Sequence, residues 1–262
     1  PRSGIWLKKL KVSLGFIELA LAFKFLSNAD LVEGWGILKR EIFIIIWVAI
    51  FLIMSFYLFG SYFGKLKFNY KSYSGWFFFL FSMYLISGLF ESKNVRLLSG
   101  ILPPEFYSVY DNKNDCPLGL NCFKDFQSGK DYAIEKDKII LLDFTGWACA
   151  NCRRMEENVW SKPAIFKMLD TEFVIISLYV DDRSKLSEQE KFKYLNKSGN
   201  IQYINNVGRR WSLFQQINFS NASQPYYVAM MPSGKILTEP IQYVSEKNFE
   251  NWLRTSIEES IK

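Results

Sequence analysis

Residues 42–60, "IFIIIWVAIFLIMSFYLFG", contain no charged side chain. A bilayer-spanning helix needs roughly 20 mostly apolar residues, and such a helix satisfies its backbone polar groups internally. A second uncharged run, "SGWFFFLFSMYLISGLF", covers 74–90, and a first, "LKVSLGFIELALAFKFL", covers 10–26 with Glu18 and Lys24 inside it. A buried core helix would account for one run of this kind. Three in succession predict three transmembrane helices with a lipid bilayer as partner. Glu18 reads as a polar contact between helices of a bundle.

Loop charges orient these spans. Arg2, Lys8, Lys9 and Lys11 flank the first run, and Lys65, Lys67 and Lys71 lie between the second and third with no acid among them. The intervening loop mixes Asp30 and Glu33 with Lys39, Arg40 and Glu41. By the positive-inside rule the N-terminal end and the lysine loop are cytoplasmic. Three crossings then put everything after residue 91 on the outer side, which in a bacterium is the oxidising periplasm. The net charge of +6 is scattered, with no basic patch interleaved with aromatics, which argues against nucleic acid. The chain has no histidine. That excludes histidine bases, Ser–His and Cys–His nucleophile pairs, and histidine metal ligands. The chain opens on Pro1 without a signal-peptide pattern, which points to a fragment or a processed protein.

Residues 92–128 change character. Paired prolines, glycines and Asn/Asp clusters replace helical periodicity, which predicts an extended connector. Inside it, Cys116 and Cys122 bracket Pro117 and Gly119, a reversal able to bring the sulfurs together. In an oxidising compartment this reads as a structural disulfide, stabilising by about 2 kcal/mol because the closed loop is short. A second redox pair is the alternative.

From residue 129 onward strands and helices alternate. "IILLDF" (139–144) and "FVIISLYV" (173–180) are apolar runs of strand length. A helix broken near Ser161–Lys162–Pro163 separates them, and a charged insertion, 181–200, follows. "VGRRWSLFQQI" predicts a helix, "PYYVAMM" and "KILTEPI" a strand pair, and Ser245 caps a closing helix. This order predicts an α/β sandwich with a mixed central sheet.

Cys149 and Cys152, in "DFTGWACANC", sit where the first strand turns into a helix. Backbone N–H groups there favour an anion, so Cys149 is the attacking thiolate, and Cys152, one helical turn on, resolves the mixed disulfide. Arg153 follows Cys152, which excludes c-type haem attachment.

"DFTGWACANC", with its strand and helix, resembles the thioredoxin fold. The layout of the whole chain resembles the C-terminal part of DsbD-type thiol:disulfide interchange proteins. "GFIELALAFKFLSNADL" is similar to the closing spans of that family's membrane domain, and "FTGWACANCRRMEENVW" to its periplasmic thioredoxin-like domain. The resemblance implies three regions: spans over 1–91, a connector over 92–128 and a thioredoxin-like domain over 129–262. It also implies a bacterial inner-membrane protein-disulfide reductase with a redox-active disulfide and no separate cofactor. Electrons would come from cytoplasmic thioredoxin through a membrane-domain cysteine pair. They would pass to periplasmic disulfide-containing proteins, including those of cytochrome c assembly. Asp143 and Glu156 match the family's acidic pair beside the sulfurs, where a carboxylate raises the thiol pKa and relays a proton. Pro225 resembles the family's cis-proline facing the site, leaving the backbone of Gln224 for a client strand.

Two departures stand out. Ala148 separates Trp147 from Cys149, whereas thioredoxins place Trp directly before the first cysteine. Residues 1–115 hold no cysteine, so the membrane pair must lie outside this sequence. Two other readings remain open. One is an oxidase or isomerase on the same fold. The other is a zinc module using Cys116, Cys122, Cys149 and Cys152, whose spacing is atypical.

Overall fold

The computed structural model describes residues 3–62, 65–66, 72–90, 92–110, 116–196 and 198–262. Arg2, Lys67 and Lys71, whose charges bear on membrane orientation, lie outside the described residues. The chain divides into two compact units, residues 1–30 with 35–111 and residues 31–34 with 112–262.

The first unit is built on helices α1 (Ser3–Glu33), α2 (Arg40–Leu58) and α3 (Tyr73–Phe90). Phe43, Ile44, Trp47, Ile50, Phe51, Met54 and Leu58 recur at helical spacing and are buried. Phe51 of α2 stacks on Phe78 of α3 at 5.8 Å between ring centroids and meets Phe81 edge-on at 4.9 Å. Ser55 Oγ donates to the Gly75 carbonyl at 2.8 Å. A Cβ at Gly75 would come within 2.8 Å of the Phe59 ring, so glycine allows that close approach.

Among the described residues two helices, not three, are long and apolar enough to cross a membrane, Arg40–Leu58 and Tyr73–Phe90. The predicted span at 10–26 lies within α1, a helix of 31 residues, so length is not what disqualifies it. Lys8, Lys9, Lys11, Glu18, Lys24, Asp30 and Glu33 are spread along it, and a charge within a span is costly. The odd number of crossings therefore does not follow from length and composition. The stretch 92–110 is also more than an extended connector. It begins as a short 3-10 helix, Ser92–Leu98, and then folds back within its unit. Buried Asp30 organises it, accepting from the Leu38 amide at 2.8 Å and from the Tyr107 hydroxyl at 2.7 Å. Glu41 accepts from Ser108 Oγ and from the Val109 amide. These carboxylates need donors, and the segment supplies them.

The second unit holds a four-stranded mixed sheet. Its strands are β1 (Cys122–Phe123), β2 (Ile139–Thr145), β3 (Phe173–Tyr179) and β6 (Tyr226–Met230), in spatial order β1-β3-β2-β6. β1, β3 and β2 run parallel, and β6 pairs antiparallel to β2. Every residue of β2 and β3 is buried, as expected of strands covered on both faces. Alternation sorts their side chains. Ile139, Leu141, Phe173 and Ile175 face a core with Met155, Trp160, Ile165, Leu169, Phe249 and Leu253. Ile140, Leu142, Phe144, Val174, Ile176 and Leu178 face the opposite core with Ala133 and Trp211.

The first core is covered by α5 (Ala150–Met155), a π-helical turn over Glu156–Trp160, α6 (Pro163–Thr171) and α8 (Glu246–Ser260). The second is covered by α4 (Phe126–Lys136) and α7 (Val207–Phe219). Asp125, Asn206 and Ser245 cap α4, α7 and α8 by accepting an amide three residues on, which satisfies an otherwise orphaned donor.

The insertion after β3 is structured. It forms an antiparallel hairpin of β4 (Phe192–Leu195) and β5 (Ile201–Ile204), two short strands concealed by the charged stretch before them and the polar turn between them. Ile204 packs with Leu186 and Leu213, while Leu195 and Ile201 are exposed. The predicted strand "KILTEPI" makes isolated bridges only, Met230 with Ile236 and Tyr227 with Ile241. Pro240 interrupts that run and supplies no N–H for a ladder.

Candidate redox site

Cys149 and Cys152 lie at the end of β2, where the chain leaves the sheet at Gly146–Ala148 and enters α5. Cys149 is the N-cap residue, with φ −76° and ψ 99°, and its Sγ accepts from the Cys152 amide at 3.2 Å. The two are disulfide-bonded with Cα atoms 5.3 Å apart. Two intervening residues at a helix start suffice to bring the sulfurs together. Their surroundings differ: Cys149 is half-buried, whereas Cys152 is 1% exposed. An incoming disulfide can therefore reach Cys149 far more readily than Cys152.

Beneath the pair is a buried charge cluster. Asp143, on the β2 face shared with Leu141, is 2% exposed. Its Oδ2 accepts from Ser177 Oγ at 3.1 Å, and its Oδ1 has no hydrogen-bond partner. Arg153 and Glu156, 3% and 5% exposed, form an ion pair at 2.7 Å across one turn of helix. The Arg153 guanidinium also donates to Thr145 Oγ1 at 3.2 Å and to the Gly146 carbonyl at 3.4 Å. It thereby ties the start of the active-site turn to the helix behind it.

Burial pushes both carboxyls above the usual range, Asp143 up to about 7, while Arg153 opposes the shift. One guanidinium faces two carboxyls, so the cluster holds a proton near neutral pH. Geometry favours Asp143 as its holder, since Glu156 has the close ion pair and Asp143 a single hydroxyl donor. Burial likewise pushes the Tyr179 phenol up and keeps it neutral.

Trp147 stacks on Tyr179, centroids 3.8 Å apart and planes 20° from parallel, and its Nε1 donates to Asp182 Oδ2 at 3.2 Å. Its indole is thus committed to the end of β3. The Trp147 and Ala148 amides both donate to the Asp181 carboxylate, at 2.8 and 3.0 Å.

The Gln224–Pro225 peptide immediately before β6 is cis. Fully buried Gln215 of α7 donates to the Ser223 carbonyl at 2.9 Å and accepts from Gln224 Nε2 at 3.1 Å, holding this loop from behind. Cys116 and Cys122 form a second disulfide, Cα atoms 5.9 Å apart, with Cys122 opening β1 opposite Ile175. With both pairs bonded, no thiolates are free for a metal in this state. Among the described residues no group of three or more His, Cys, Asp or Glu side chains could hold a metal ion.

Sequence reasoning passed over Arg153, Asp181, Asp182 and Gln215. A signal existed for the two aspartates. β2 and β3 are parallel and end in register at Thr145 and Tyr179, so the segments that follow them must be neighbours.

The family described as "Thioredoxin-like domain" matches residues 126–257. Two sequences named "Thiol:disulfide interchange protein DsbD", from two strains of Campylobacter jejuni, are each 25% identical over 196 residues, covering 73% of this chain. The chain spans about a third of the length of these curated relatives, 32%. Among solved structures, a thioredoxin from Thermus thermophilus is 17% identical, with a TM-score of 0.38, over 53% of this chain and 87% of that one. A "DsbH Oxidoreductase" is 12% identical, with a TM-score of 0.37, over 53% of this chain and 85% of that one. With its mixed sheet and its CxxC at the turn after β2, this chain belongs to the thioredoxin-like family and is a distant relative of the DsbD-type thiol:disulfide interchange proteins.

Proposed function

We propose that this chain is a membrane-anchored protein-disulfide reductase. The observation that carries the reading is the asymmetry of the pair, accessible Cys149 bonded to buried Cys152 above a proton-holding carboxyl cluster. In the reduced enzyme the Cys149 thiolate attacks one sulfur of a client disulfide. A mixed disulfide forms and the first client thiolate leaves. Cys152 then attacks Cys149 Sγ, the second client thiolate leaves, and the Cys149–Cys152 disulfide results. Two electrons pass to the client. With its pKa raised to about 7, Asp143 is ionised in a substantial fraction of the enzyme at neutral pH; that carboxylate accepts the Cys152 proton as the thiol becomes nucleophilic, and Glu156, fixed by Arg153, keeps a second carboxyl close by. The loop at Gln224–Pro225 receives the client backbone, and Cys116–Cys122 serves as a structural staple.

Re-reduction of the pair needs a second dithiol. Residues 1–115 contain no cysteine, so the donor lies elsewhere. Following the DsbD-type relatives, we assign it to a membrane-domain cysteine pair fed by cytoplasmic thioredoxin. Clients are then periplasmic disulfide proteins, cytochrome c assembly factors among them. The Cys116–Cys122 disulfide supports placing the domain on the outer side of a bacterial inner membrane, because such bonds persist in oxidising compartments.

The test replaces Cys152 with Ser in the full chain and isolates mixed disulfides. Adducts through Cys149 to exported proteins are expected, and none under oxidising conditions would refute Cys149 as nucleophile. The pair's reduction potential separates the directions. A value near about −270 mV supports a reductase, and one near about −120 mV identifies an oxidase.

A further inference from the structure

The turn that presents Cys149 is held from outside the CxxC motif. Asp181 Oδ1 accepts from the Trp147 amide at 2.8 Å, and Oδ2 accepts from the Ala148 amide at 3.0 Å. The carboxylate approaches so closely that a Cβ at Gly146 would lie 2.9 Å from Oδ2. Asp182 adds the bond to Trp147 Nε1, and its own carbonyl accepts from the Gly208 amide at 2.8 Å.

Successive backbone amides before a helix form a concavity that attracts an anion. Here the two amides preceding Cys149 are occupied by a fixed carboxylate. The Cys149 amide turns back to the Gly146 carbonyl at 3.2 Å, and the Cys152 amide is the donor that reaches Cys149 Sγ. A thiolate at Cys149 therefore forms beside a negative charge, without the two donors that would otherwise favour it. A less favoured thiolate makes a dithiol more reducing, because reduction produces that thiolate.

We propose that Asp181 is a positioning residue of the thiol site. Its carboxylate latches the Gly146–Ala148 turn and opposes negative charge on the Cys149 sulfur, biasing the pair toward donating electrons. The inference rests on the thiol-exchange reading above. Other charged groups around the turn are Asp182 at the end of β3, Lys124 over the Trp147 ring at 5.0 Å, Arg153 and Glu156 on the helix side, and Asp143 on β2. Asp181 is the one to vary because its carboxylate accepts from both the Trp147 and the Ala148 amide.

The experiment uses the full chain in detergent with Cys152→Ser, leaving Cys149 as the reactive thiol. Iodoacetamide alkylation is followed against pH for the parent and for Asp181→Asn, Asp181→Glu and Asp182→Asn. Asp181→Asn keeps an acceptor for one amide and removes the charge. Its alkylation midpoint is expected to fall by about half a pH unit, roughly threefold more thiolate below the midpoint. Asp181→Glu restores the parent profile, and Asp182→Asn leaves it unchanged. In the intact CxxC, Asp181→Asn shifts the equilibrium with glutathione about threefold toward the reduced pair. An unmoved or raised midpoint in Asp181→Asn overturns the proposal, even if thermal stability falls, since a purely structural clamp predicts only that fall. If the parent's Cys149 exchanges with no disulfide at all, the thiol-exchange reading fails instead.

Discussion

Arg153→Met tests the buried charge cluster most directly. The guanidinium is 3% exposed and meets Glu156 at 2.7 Å, with Asp143 the second carboxyl it offsets. Removing one partner of a buried pair costs about 3–5 kcal/mol, because the other is left uncompensated in a low dielectric. A domain of this size loses about 3 °C of midpoint per kcal/mol, so the midpoint should fall by roughly 10–15 °C. Cys152, 1% exposed, supplies a probe confined to this unit. In a Cys149→Ala background its alkylation on heating reports unfolding here whatever the helices of the first unit do. Both carboxyls rise further once the cation is gone, and protonation relieves them, so the loss should be smaller at pH 5 than at pH 8. Arg153→Met with Glu156→Leu should recover most of the loss, since an apolar pair removes both buried charges. A cost below about 1 kcal/mol, as for an exposed pair, would refute the reasoning. So would a double variant no better than the single.

Two further outcomes follow from the same geometry. Asp143, with its folded pKa raised from 3.8 to about 7, contributes stability that is full below pH 4 and lost as pH rises toward 7. Three units at 1.36 kcal/mol each make this on the order of 4 kcal/mol. Asp143→Asn should flatten the wild-type decline in unfolding midpoint between pH 4 and 7, and an unchanged slope would show that the carboxyl does not titrate there. At Gly208 a Cβ would lie 2.6 Å from the Val180 carbonyl and 2.7 Å from Asp182 backbone atoms, so Gly208→Ala must displace the segment carrying Asp181. It should cost about 1–3 kcal/mol by thermal melt and accelerate Cys149 alkylation at neutral pH, as removal of Asp181 does.

Some features are legible because they repeat along the chain. Uncharged runs at 42–60 and 74–90 can be read without a partner, because a bilayer imposes its length on every helix that crosses it. The strand–CxxC–helix order is equally local: two residues between cysteines at a helix start suffice to join the sulfurs, whatever surrounds them. The first span rested on its place beside two uncharged runs despite Glu18 and Lys24, whereas α1 is a 31-residue helix with charges along its length. The hairpin at 192–204 escaped because its two short strands, FKYL and IQYI, lie beside a charged stretch and are joined by a polar turn, so no long apolar run marks them.

What tertiary structure alone decided is electrostatic. Arg153 looks like a surface residue, since arginine is rarely buried unless paired; only the packing of α5 over β2 seals it between Glu156 and the active-site turn. Asp181 is 32 residues from Cys149 in sequence and resembles the start of a solvated loop. The parallel register of β2 and β3 brings its carboxylate onto the amides beside that cysteine. Local pattern fixes where a chain turns and which side chains are apolar. Which charges end up together, in a medium too weakly polarisable to screen them, depends on strand pairing between distant segments.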